Sequence, residues 1–234
     1  MIPLRLIATE NEDVISSIIK ATNQQTEVKP EQLLAFSDFQ KKLEAYFQSF
    51  EPAKRLYYER RSRQYANVSV EKTRVVTPAN LIRAYASMFL DEPHRTTRNY
   101  KLLLDRIGTT IFGPEHRLHA YYVAAVANYR LEFLFRNQFL DAKYRPARYH
   151  ILLALRIIAA PEPPPRTNSH EMDRYAERIL SSLWDTSQAE TAFRGAAEIV
   201  DLVAQGNFHR DHIRTQPFTD ALKRELGVSS ERAG

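Results

Sequence analysis

No cysteine occurs among the 234 residues, so the chain cannot carry a disulfide framework, a Cys-ligated zinc, an iron–sulfur cluster or a thiol nucleophile. That usage fits a reducing compartment and predicts a cytoplasmic protein. Glycine is scarce. The six glycines are scattered, and none forms the run that cradles a nucleotide's phosphates, which argues against NTP hydrolysis. Long apolar runs are missing as well. The most apolar stretch, Ile151 to Ala160, is broken by Arg156 and has about half of the roughly 20 residues a membrane span needs. It reads as a core helix, and no membrane partner is expected. The start, Met1-Ile2-Pro3-Leu4-Arg5, has no cationic region followed by an apolar run, so it reads as a strand and not as a signal peptide.

What is present describes one soluble domain or two small ones, with 44% hydrophobic and 26% charged residues. The net charge of +5 is unevenly placed: residues 54–160 hold 19 Lys and Arg against 8 Asp and Glu, while both flanks are mildly acidic. Segregation of this kind suits a protein that meets phosphate, because clustered cations displace condensed counterions from a polyanion. It equally suits solvated helix faces balanced by the acidic ends.

The periodicity is mostly helical. Val14, Ile15, Ile18 and Ile19 mark a helix ending near Thr22, after a short strand from Pro3 to Ala8. Phe36, Phe39, Leu43, Phe47 and Phe50 form an apolar stripe on a second helix, opened near Pro30. From Pro52 to Val76 the period is lost, and the segment is expected to be irregular. Thr77-Pro78 caps a helix carrying Leu81, Ile82, Tyr85, Met88 and Phe89 and ending at Asp91-Glu92-Pro93. Further helices are predicted from Tyr100, through Tyr122, Val126, Tyr129 and Phe133, and from Tyr144 to Ala160 with Pro146 in its first turn. Pro161-Glu162-Pro163-Pro164-Pro165 forms a stiff boundary, beyond which Met172 to Leu183, Phe193 to Val203 and Phe218 to Leu226 give three more. The expectation is a mainly α, multi-helix globular fold with at most one or two short strands near the N-terminus. It divides into a helical domain at residues 1–160, a Pro-rich linker at 161–169 and a helical segment at 170–234. A strand from Pro3 to Ala8 would have to pair either with the region from Tyr57 to Val76 or outside this chain.

Several residue groups are candidates for function. Lys54, Arg55, Arg60, Arg61, Arg63, Lys72 and Arg74 alternate with Tyr57, Tyr58 and Tyr65. Such a mixture can stack unpaired bases while its charges track phosphates, and it can equally pack as core tyrosines with paired arginines. Asn23, Gln24, Gln25 and Thr26 form a neutral polar loop that could read a base edge or simply cap the next helix. Arg145 and His150 fit the Arg-x4-His pattern of HEPN-type ribonucleases, in which His would act as general base and Arg would hold the scissile phosphate. In a chain with 7 His and many arginines this pattern arises by chance, and packing or a solvated place on the surface is the favoured role. Restriction-type nuclease chemistry needs an Asp and a Glu-x-Lys pair on adjacent strands, which the mostly helical periodicity does not offer, and Glu71-Lys72 lacks the intervening residue. His94, His116, His119 and His170 form no recognised metal-binding motif, so no metal and no cofactor is expected.

The segments Ile2-Pro3-Leu4-Arg5-Leu6-Ile7 and Ala21-Thr22-Asn23-Gln24-Gln25-Thr26-Glu27-Val28-Lys29-Pro30-Glu31-Gln32-Leu33 open an ordered series of similarities. Phe39-Gln40-Lys41-Lys42-Leu43, Tyr57-Tyr58-Glu59-Arg60-Arg61 with Gln64-Tyr65, Lys72-Thr73-Arg74-Val75-Val76-Thr77, the stretch Ala84 to Leu90 with Pro93, and Ile111-Phe112 continue it. In this order the chain resembles the AIPR family, the abortive-infection phage-resistance proteins of bacteria, over residues 1 to about 160. The resemblance implies a defence protein whose relatives are longer, carry a glycine in the Asn-Gln loop and in some cases a nuclease-like region upstream. It therefore leads to the expectation of a C-terminal, non-catalytic module that binds nucleic acid or a partner, either a neighbouring defence subunit or a missing N-terminal half.

Overall fold

The computed structural model describes residues 37–96, 100–108 and 110–228, with Thr9 and Val14, and only the backbone at 100–102. The strand expected from Pro3 to Ala8, the helix ending near Thr22, the loop Asn23 to Thr26 and Phe36 lie outside the described residues.

Helix α1, Asp38–Gln48, starts where the Ser37 side chain accepts the Gln40 N–H at 3.4 Å. Phe39, Leu43 and Phe47 recur every four residues and are all buried. The segment expected to be irregular contains a small ladder: β1, Tyr57–Tyr58, runs parallel to β2, Val75–Val76, with Tyr57 opposite Val75 and Tyr58 opposite Val76. Between them Lys72–Arg74 forms a 3₁₀ turn. Helix α2, Pro78–Phe89, begins as the Thr77-Pro78 signal requires, with the Thr77 hydroxyl accepting the Asn80 N–H at 3.3 Å. Helices α3, Pro93–Thr96, α4, Tyr100–Ile107, and α5, Leu118–Arg136, follow.

The helix expected from Tyr144 differs. Ala142–Ala147, containing Pro146, is a 3₁₀ turn, and α6 spans Arg148–Ala159. Proline has no N–H for the carbonyl four residues back and its ring crowds that turn, so the α-helix opens only after it. Helices α7, His170–Leu180, α8, Thr186–Ala204, α9, Arg210–Ile213, and α10, Gln216–Glu225, complete a mainly α structure. No helix among the described residues is long and apolar enough to cross a membrane.

Helix α2 lies against both α5 and α6, α5 packs on α7, α6 on α8, and α8 on α10. One buried apolar cluster runs from Phe39 to Leu222, so the core crosses the Pro161–Pro165 boundary seen in the sequence. Stacked rings fix the contact of α2 and α5: Tyr85 and Tyr121 lie 4.1 Å apart at 8°, and Phe39 of α1 meets Tyr121 edge-on at 5.3 Å. The Tyr121 hydroxyl accepts the Phe112 N–H at 2.7 Å, holding the loop before α5 where Phe112 adopts a φ of 54°.

The most buried charge sits in α6. Arg156 is 1% exposed, and its Nε donates to the Met88 carbonyl at 2.8 Å. Its remaining nitrogens reach the Asp91 carboxylate and, at 3.4 Å, the Tyr175 hydroxyl. Lys223 of α10 approaches the same carboxylate at 2.6 Å. Asp91 thus joins the end of α2 to α6 and α10, while Tyr175 adds α7. Removing one member of a buried, hydrogen-bonded ion pair leaves an uncompensated charge and costs about 3–5 kcal/mol. Asp91 stands at a φ of 57°, which asparagine tolerates. Asp91→Asn is therefore expected to lower unfolding free energy by about 3 kcal/mol or more in chemical denaturation. Arg194→Ala, at the exposed pair with Glu190, should change it by less than about 1 kcal/mol. Equal effects of the two substitutions would contradict this role for Asp91.

Candidate nucleic-acid interface

The cations of residues 54–74 divide into two groups. One group holds the loop together. The Tyr58 side chain is fully buried and its hydroxyl donates to Gln40 of α1. Arg60, 5% exposed, places Nε 2.8 Å from the Glu44 carboxylate, which also accepts the Gln64 amide. The Lys72 ammonium donates to the Tyr65 carbonyl and, at 3.3 Å each, to those of Ala66 and Val68. Arg74 binds the carbonyls of Ala53 and Arg55 at 2.9 and 3.1 Å and the Glu71 carboxylate at 3.0 Å. A segment with little regular structure has backbone carbonyls without ladder partners, and these two side chains supply the missing donors.

The other group stays at the surface. Lys54 and Arg63 are exposed, and Arg55, Tyr57 and Arg61 are partly so. Lys54 lies 3.2 Å from Glu51, Arg55 donates to the Phe50 carbonyl at 3.0 Å, and the Tyr57 ring meets Tyr65 edge-on at 5.5 Å. Arg63 adopts a φ of 61°, a left-handed conformation that costs an L-residue with a side chain roughly 1–2 kcal/mol.

Helix α5 connects this loop to the second basic region. The Arg74 guanidinium stands 5.6 Å from the centre of the Tyr129 ring. One turn along the same face, Glu132 lies 3.6 Å from Arg145 and 3.5 Å from Arg148. Three cations separated by up to 74 residues in sequence therefore gather along one helix. Arg130, on the neighbouring strip of α5, stacks 5.1 Å from the Trp184 ring, and its burial pulls its pKa below the usual arginine range.

Arg145 and His150 do not share a site. The Arg145 side chain reaches solvent, whereas His150 is 2% exposed, with Nε2 3.3 Å from the Thr219 hydroxyl and its ring edge-on to Phe218 at 5.0 Å. Burial, aided by nearby His94, lowers the His150 pKa to about 3, so the imidazole is neutral and enclosed.

Sequence spacing gave no hint of a second polar group. The Tyr46 hydroxyl lies 3.0 Å from His119 Nδ1, and His119 Nε2 lies 2.8 Å from Glu177. Arg117 Nε donates to Asp173 at 2.6 Å beside them. With Lys42 and His116 these line a groove of about 500 Å³, although Glu177 is not in its wall. Burial first, then Asp173 and Glu177, raise the Tyr46 pKa, which makes its hydroxyl a proton holder and a poor nucleophile. Among the described residues no group of three or more His, Asp or Glu could hold a metal ion.

Comparison with known proteins matches residues 1–208 to the family model described as AIPR protein. No curated protein and no solved structure matches the chain.

His150 has a testable signature in the pH dependence of stability. Its folded pKa lies below its ordinary value of 6.5, so at lower pH the unfolded chain binds a proton that the folded chain refuses. Stability should fall as pH drops from about 6.5 toward 3, by up to about 1.4 kcal/mol per pH unit from this group. His150→Gln, which keeps a polar group for Thr219, is expected to flatten that slope in denaturation curves measured between pH 7 and pH 4.5 (about two units below the ordinary value). An unchanged slope would mean that His150 is accessible and titrates normally.

Proposed function

The chain belongs to the AIPR family, which implies a phage-resistance role through abortive infection, and from that premise we propose that it acts by binding nucleic acid and not by its own catalysis. The contact surface of this proposal is the tip of the loop, Lys54, Arg55, Arg61 and Arg63 with Tyr57, continuing toward the cations along α5. The observation that carries the reading is Arg63. A long cationic side chain occupies a backbone conformation suited to glycine, at the exposed turn of a loop that Arg60, Lys72 and Arg74 hold in shape. Strain of about 1–3 kcal/mol of this kind concentrates at sites where the side chain is needed.

Tyr57, partly exposed beside Tyr65, offers a ring edge and face against which an unpaired base can stack. Anchored cations around it give phosphates fixed positions, so that less ordering is needed on binding. Single-stranded nucleic acid fits this combination better than a duplex, whose bases are already stacked.

Affinity for a single-stranded oligonucleotide should fall linearly on a log–log plot as salt rises, by about 0.7 for each phosphate neutralised. Arg63→Gly is expected to keep or raise folding stability, by up to about 1 kcal/mol, while it weakens binding and reduces the salt slope. Binding that ignores salt, or an Arg63→Gly variant that binds as well as the wild type, would rule out the loop as the contact. Capture of a protein partner by the same face without nucleic acid would also count against it.

A further inference from the structure

Five arginines from four parts of the chain close around one cavity. Arg83 projects from the middle of α2, Arg145 from the 3₁₀ turn and Arg148 from the first position of α6, while Arg210 opens α9 and Arg214 follows its last residue. The cavity holds about 370 Å³, and none of its lining residues is acidic. That size lies within the range of roughly 300–1,000 Å³ usual for small-ligand sites. We propose that this cavity receives a terminal phosphate, either the 5′ end of a nucleic-acid strand or the phosphate chain of a nucleotide. The strand-end form of the proposal deepens the nucleic-acid reading above and rests on it.

The charge count favours an end over a link. An internal phosphodiester carries a single negative charge, whereas a phosphate monoester at neutral pH carries about −1.5 to −2, and an oligophosphate more. Guanidinium groups also have the geometry for the task, since each presents a planar fork that binds two phosphate oxygens at once. The arginines here are held without being saturated by Glu132. Its separations of 3.6 Å from Arg145 and 3.5 Å from Arg148 contrast with the 2.8 Å hydrogen bond between Arg60 and Glu44. The carboxylate balances charge and leaves donor capacity on both forks.

Ring contacts set the orientation of the same two groups. The Arg145 guanidinium lies 4.8 Å from the Phe135 ring centre and that of Arg148 5.2 Å from Tyr149, which also lines the cavity. Arg210, at the start of α9, is exposed, whereas the other four arginines are only partly so.

The test uses the full chain and four probes: a 5′-monophosphorylated single strand, the same strand with a 5′-hydroxyl, inorganic tripolyphosphate and a nucleoside triphosphate without metal. The 5′-phosphorylated strand is expected to bind at least tenfold more tightly than its 5′-hydroxyl counterpart. Arg210→Ala should erase most of that difference and leave 5′-hydroxyl binding nearly unchanged, while Arg145→Ala, which also removes a cation from the α5 contact, should erase the difference and weaken binding of both strands. Arg145→Lys, which keeps the charge but not the fork, should restore only part of it. If tripolyphosphate or the nucleotide binds and both variants lose it while neither strand binds, the cavity is a nucleotide-phosphate site and only the nucleic-acid reading fails. Equal affinity for the two strands with no binding of the small probes, or binding that both variants retain, would overturn the proposal.

Discussion

The buried guanidinium of Arg156 is the constraint around which this fold is arranged. A charge this deeply enclosed is tolerable only if each donor finds an acceptor, and the acceptors come from the Met88 carbonyl, Asp91 and Tyr175. Satisfying it fixes the end of α2 and the placement of α6 and α7 together. Lys223 then brings α10 to the Asp91 carboxylate, which it approaches at 2.6 Å. Farther along the same interface His94, Thr219 and His150 continue the polar contacts between the region after α2, α10 and α6. At the other end, Arg83, Arg148 and the arginines of α9 converge on the cavity. The cationic pocket and the buried clamp therefore belong to one packing arrangement, and loosening the clamp should disperse the pocket.

The basic loop solves a different problem. With only a two-residue parallel ladder, it cannot satisfy its own carbonyls through secondary structure. Lys72 and Arg74 turn inward to do so, and Arg60 and Tyr58 bind α1. The remaining cations are displayed on a scaffold that other cations built. Composition alone treats these residues as one patch, while the coordinates give them two distinct duties.

Local signals in the sequence carried a good deal of this. The Thr77-Pro78 start, the apolar stripe of Phe39, Leu43 and Phe47, and the helices after the proline run follow from short-range chemistry and from the 3.6-residue period. Pro146 shifted a helix start because the local rule for proline depends on its position within the first turn, which the sequence pattern left open. What spacing could not reveal was contact between distant residues. Glu177 reaches His119 across 58 positions, Glu132 meets Arg145 and Arg148 from another helix, and Arg210 and Arg214 join Arg83 only once α9 has packed. His150 shows the complementary difficulty, since a catalytic pattern in sequence is indistinguishable from a packed imidazole until its burial is seen.

The proposed nucleic-acid face of this AIPR family member comprises the loop tip, the cations along α5 and the arginine cavity. Hydrogen–deuterium exchange of the full chain, with and without a single-stranded oligonucleotide, examines that face directly. Protection should concentrate in residues 54–74 and around Arg145, Arg148 and Arg210, with the outer surface of α8 unchanged. Protection confined to α8, or to the groove holding Tyr46 and His119, would contradict the account.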